Sequence, residues 1–189
     1  LSKQVGREFL REIYTRGAEN AEHFMDLINN ATRINNELND NSFLREAYEA
    51  VEDKAEDFSD FSGLAESIHE QLGDKEWAKK VYKKAADKAE DFSDFSGLAD
   101  SIHEKLGDKE WLKEIYKKAE EKTESINELR DLADKIYEKV EDKELLKSVI
   151  FKLSENTFQD DIKFEKLIEI ILSKQVGREF LREIYKRGA

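Results

Sequence analysis

Residues 57–90 and 91–124 are one thirty-four-residue text written twice: DFSDFSGLAESIHEQLGDKEWAKKVYKKAADKAE runs directly into DFSDFSGLADSIHEKLGDKEWLKEIYKKAEEKTE, with 26 of 34 positions identical. A fixed period of that length leaves few folds open, because each copy is a single supersecondary unit that buries its apolar face only against its neighbours. A second repetition spans the chain. LSKQVGREFLREIYTRGA at 1–18 returns at 172–189 as LSKQVGREFLREIYKRGA, differing only at Thr15 against Lys186.

Within 57–90, Phe61, Leu64, Ala65, Ile68 and Leu72 stand at i, i+3, i+4, i+7 and i+11, which is one stripe of an α-helix. Asp57 with Asp60 resembles a capping box, Ser59 competes as the cap, and Ser125 with Glu128 is the stricter form two units on. Gly73 supplies a left-handed residue to end this helix A, and Asp74 offers an N-cap for a helix B carrying Trp77, Ala78, Val81, Tyr82, Ala85 and Ala89 on one face. Each unit is therefore expected to hold two antiparallel helices of about fifteen residues. The register propagates: Phe9, Phe43, Trp77, Trp111 and Leu145 are equivalent, with Phe180 after a one-residue insertion, and so are Tyr14, Tyr48, Tyr82, Tyr116, Ile150 and Tyr185. Ala31, Ala65, Ala99 and Ala133 mark a small position, and Gly6, Gly73, Gly107 and Gly177 are expected between helices. The expected organisation is a single all-α domain over 1–189: a lone helix at 7–21, then units 23–56, 57–90, 91–124, 125–158 and 159–189.

The absence of proline leaves every stretch free to be helical, and the absence of cysteine removes disulfides and thiolate metal sites. No signal peptide and no apolar run of membrane-spanning length is visible, so a soluble protein, cytoplasmic or recombinant, is expected. A net charge of −12 opposes nucleic acid and anionic membranes as partners. Residues 1–18 carry +2 and 172–189 carry +3, which leaves −17 between them.

No residue set announces chemistry. His69 and His103 share a repeat position roughly 10 Å apart in a stack, too far to ligate one ion together, and His23 is out of register. DFSDFSG fails the calcium-loop pattern, since Ser62 stands where that loop needs glycine. Phosphate-binding and nucleophile motifs are missing, so no cofactor, no metal and no enzymatic activity are expected. Trp77 and Trp111 read as core residues. Asn30 is the irregular position, replacing the leucine found at Leu64, Leu98 and Leu132, and reads as a hydrated edge.

The 34-residue helix-turn-helix period, the spacing of Phe61, Leu64 and Ala65, and the later Ile68, Tyr82 and Ala85 together resemble the tetratricopeptide repeat family over nearly the whole chain. Two features depart from it: the interhelical turn looks one residue longer, and the closing proline is missing. The resemblance implies a right-handed α-solenoid whose helices A line a concave surface for a protein or peptide. On that surface Ser59, Ser62, Glu66, Ser67 and Glu70, with Asp100 and Glu104 of the next copy, would suit a basic or amphipathic peptide. Near-identical central units and a reused terminal helix also look like an engineered chain, designed or recombined. A non-catalytic helical scaffold is the leading expectation, peptide binding the alternative, and self-association through the duplicated terminal helices a third.

Overall fold

The computed structural model describes residues 3–19, 23–155 and 186. The expected unit 159–189, with Gly177, Phe180 and Tyr185, lies outside them except for Lys186, as do the last two residues of the expected lone helix. Every regular element among the described residues is helical: α1 (Lys3–Glu19), α2 (Phe24–Leu38), α3 (Asn41–Glu52), α4 (Phe58–Ser67), α5 (Lys75–Lys88), α6 (Phe92–Ser101), α7 (Lys109–Lys122), α8 (Ile126–Lys135) and α9 (Lys143–Glu155). The described residues are thus all-α. Their helices fall into two compact units, Leu1–Ala89 and Glu90–Ala189.

The pairing comes from two consecutive residues that recur every thirty-four. Asn39, Gly73, Gly107 and Glu141 take left-handed backbone, with φ of 50°, 65°, 68° and 59°, which turns the chain sharply at a helix end. The next residue caps the helix after it: Asp40 accepts from the N–H groups of Ser42 and Phe43, Asp74 from Trp77, Asp108 from Trp111 and Asp142 from Leu145. Only glycine adopts the left-handed region without steric cost, so Glu141 holds it under mild strain. Gly6, expected at such a turn, instead sits inside α1, because that helix starts at Lys3.

The starts of α4, α6 and α8 use the predicted caps. Asp57 accepts from Asp60 N at 2.9 Å and Asp91 from Asp94 N at 3.0 Å. The returning arm of each box reaches one residue further back than expected: Asp60 accepts from Glu56 N and Asp94 from Glu90 N. Ser125 and Glu128 form the full reciprocal box.

Three helices finish in π-helical turns, Ile68–Leu72, Ile102–Leu106 and Ile136–Val140. The last two close with i→i−5 bonds, Gly107 N to Ile102 O at 2.9 Å and Glu141 N to Ile136 O at 3.0 Å. The residue that made the connection look long is thus taken up inside the helix, and the turn itself stays two residues. A π turn widens the helix by one residue while its backbone groups stay hydrogen-bonded. Ile68, Ile102 and Ile136 remain fully buried at its start.

In the first unit α4 packs against α5, α2 and α3; in the second α7 packs against α6, α8 and α9. The expected stripes form the cores: Leu64, Ala65 and Ile68 in one, Leu98, Ala99, Ile102, Leu132, Ala133 and Ile136 in the other, all with no exposed surface. Tyr48, Tyr82 and Tyr116 are buried completely as well.

The caps make this fold sensitive to acid. Asp40 is held below the usual carboxylate range by the Ser42 hydroxyl and then by Phe43 N–H, Asp74 by the Arg45 guanidinium and then Trp77 N–H, and Asp142 chiefly by Leu145 N–H. A carboxylate with a lowered folded pKa contributes its full stabilisation above its unfolded value, about 4, and loses it as pH falls through the folded value. Urea midpoints followed by circular dichroism are therefore expected to be level from pH 7 to about 5 and to drop below about 4. A midpoint unchanged down to about pH 2 would contradict the role given to the caps.

Candidate functional surface

Ser59, Ser62, Glu66 and Glu70 lie at i, i+3, i+7 and i+11 along α4 and its π turn, so one helical stripe carries them all. Ser59, Glu66 and Glu70 are exposed and Ser62 is half-buried. Ser67 is occupied otherwise: it hydrogen-bonds the buried Tyr48 hydroxyl, which also pairs with Thr32 Oγ1 at 2.7 Å. Burial raises the Tyr48 pKa, and these two hydrogen bonds hold part of that shift back. The serine therefore completes the core.

Asp100 and Glu104 belong to the second unit, where Glu104 is exposed and Asp100 is half-buried. Two lysines of the next helix pair meet Asp100: Lys139 Nζ stands 2.6 Å from Oδ1 and Lys135 Nζ 3.0 Å from Oδ2. Lys135 also donates to Ser96 Oγ at 2.5 Å and approaches Asp131 at 3.5 Å. Burial opposes ionisation of Asp100, but the hydrogen bonds from Lys139 and Lys135 outweigh it and its pKa falls. The negative charge expected at Asp100 is thus neutralised by partners thirty-five and thirty-nine residues away, on α8 and its π turn, while Glu104 stays exposed. The Tyr116 hydroxyl lies buried with no hydrogen-bond partner among the described residues, and burial first, then the Asp100 and Asp131 charges, drive its pKa far up.

A second feature, not anticipated from the sequence, is a series of basic residues that reach from one helix B to the cap of the next. Arg11 Nη2 is 3.3 Å from Asp40, Arg45 Nη2 is 2.6 Å from Asp74, and Lys113 Nζ is 3.4 Å from Asp142. The separation is twenty-nine residues each time. The same arginines lie over an aromatic residue three positions past the cap: Arg11 Cζ is 5.7 Å from the Phe43 ring centre and Arg45 Cζ 5.0 Å from that of Trp77. Trp77 is consequently half-buried rather than a core residue, with its indole N–H on Glu52 at 2.8 Å and Lys84 on the other oxygen of Glu52 at 2.7 Å. Trp111, at 8% exposure, is buried as expected. The fixed spacing of base and acid was the available signal.

The third feature is an open groove of about 380 Å³ between α1 and α2, where Leu10, Ile13, Tyr14 and Ile34 face the polar Asn30, Arg33 and Glu37. Asn30 is exposed on its wall. Beside it Phe9 is 61% exposed and Ile13 44%, high values for such side chains. Burial, then the nearby Tyr48, pushes the Tyr14 hydroxyl up to about 12.

For metal chemistry, the described residues contain no group of three His, Asp or Glu side chains placed to hold an ion. His103 is exposed, and His69 is half-buried with Nδ1 unpartnered among the described residues. His23 precedes α2 without capping it. No helix among the described residues is long and apolar enough to cross a membrane. No protein family, curated protein or solved structure matches the chain.

Proposed function

We propose that the chain is a non-catalytic helical-repeat scaffold, a right-handed tetratricopeptide-like solenoid of antiparallel hairpins assembled from reused parts by design or recombination. The observation that carries this reading is the base-to-cap series Arg11–Asp40, Arg45–Asp74 and Lys113–Asp142. Polar groups that return at a constant spacing and close on one another fix the position of each helix relative to the next. They are spent on shape. The test is Arg45→Glu, read by hydrogen exchange. It sets a negative charge against the Asp74 cap and removes the cation from Trp77. Protection is expected to fall about fivefold or more, the equivalent of about 1 kcal/mol, in both α3 and the first turn of α5. A loss confined to α3 would sink the idea that these pairs couple neighbouring helices.

A second reading has support from one stripe. Ser59, Ser62 and Glu66 on α4, with Glu70 on its π turn, form a small, acidic, accessible row suited to a basic or amphipathic peptide on the concave surface that the resemblance implies. The pairing of Asp100 with Lys135 and Lys139 weakens this reading in the second unit.

A further inference from the structure

We propose that residues 159–189 of one chain dock on the α2–α3 face of a second copy in place of that copy's α1, joining chains head to tail. This assigns a partner, a second copy of the same chain, and stands independently of the scaffold reading.

The receiving surface is defined by how α1 sits on it. Arg11 bridges to Asp40 at 3.3 Å and to Glu46 at 3.9 Å, and the Tyr14 ring meets Phe43 edge-on with centres 5.5 Å apart. Tyr14 is the one buried side chain among the described residues of α1. The helix is therefore held by a few groups. Both exist twice in the chain: Arg11 and Tyr14 recur as Arg182 and Tyr185, and the groove-lining Leu10 and Ile13 recur as Leu181 and Ile184. Whatever α2 and α3 recognise in the first copy they meet again in the second.

The two copies differ in what precedes them. Ahead of 172–189 the sequence places Phe164, Leu167, Ile168 and Ile171 at i, i+3, i+4 and i+7, the stripe that Phe61, Leu64, Ala65 and Ile68 form on α4. A docked 159–189 segment thus carries this apolar row of residues to the groove that lies beside Ile34 and Asn30. Among the described residues, nothing in the chain itself fills that groove. Arg182 brings to Asp40 and Glu46 the same positive charge that Arg11 does, while the net charge of the docked segment, +1 for 159–189 against +2 for 1–18, does not itself drive the exchange. The contact is heterologous, with different surfaces on each partner, so association continues as an open series unless rotation closes a ring.

Light scattering behind size exclusion on the full chain, from micromolar to near-millimolar concentration, is expected to show mass rising above 22.1 kDa. Arg182→Glu, which leaves α1 untouched, is expected to weaken that association about tenfold or more. Because this variant can disturb its own C-terminal segment, a second measurement uses the absence of native cysteine. Chains carrying Glu46→Cys are mixed with chains carrying Arg182→Cys and treated with a short bis-maleimide, and a mixed cross-linked pair is expected. A constant monomer mass, growth that Arg182→Glu leaves unchanged, or cross-links only between identical variants would each overturn the proposal.

Discussion

Trp111→Ala is expected to destabilise the unit containing α6–α9 by about 3–5 kcal/mol, the cost of emptying a large aromatic site that neighbouring helices cannot collapse to fill. Trp111 is 8% exposed, and its backbone N–H, which donates to the Asp108 cap, is kept by alanine, so the loss reports the emptied side-chain site. The equivalent change at Trp77 is expected to cost less. That ring is half-buried, and part of its contribution comes from the Glu52 hydrogen bond and the Arg45 cation over its face, which solvent competes for. Urea unfolding of the two variants, followed by near-ultraviolet circular dichroism, checks the order. Equal losses would mean that the two tryptophans share one environment, against their different burial.

Leu64→Ala is expected to cost about 2–5 kcal/mol, whereas Asn30→Ala, one repeat earlier at the same position, stays within about 0.5 kcal/mol. Leu64 has no exposed surface and belongs to α4, which packs against α5, α2 and α3. Asn30 lies exposed on the wall of the α1–α2 groove. Repeat position fixes which way a side chain faces, but burial requires another helix to face it. Thermal unfolding of both variants separates the two situations, and a large loss at Asn30 would show that its amide is held in a network.

Periodicity made much of this legible in advance. The stripe Phe61, Leu64, Ala65 and Ile68 was readable because it repeats in step with 3.6 residues per turn, and the caps at Asp57, Asp74 and Ser125 because a helix start needs an acceptor at one place. The π turns were not readable, since an i→i−5 bond leaves no compositional mark and the additional residue looks like loop. Gly6 was misplaced for a related reason: a glycine inside a helix and one beyond its end look alike until the backbone angle is known. The pairing of Asp100 and Ser67 was not readable because their partners, Lys135, Lys139 and Tyr48, come from other helices. Distances of that kind are set by packing.

The two-residue connections carry a consequence for how such a chain changes length. At Asn39–Asp40, Gly73–Asp74 and Gly107–Asp108 the first residue makes the bend and the second caps the next helix. An inserted residue there parts bend from cap, so these joints have no slack in which variation can accumulate. The copy of 57–90 at 91–124 adds a full thirty-four residues and brings its own bend and cap, which is a change of length that leaves every such joint intact.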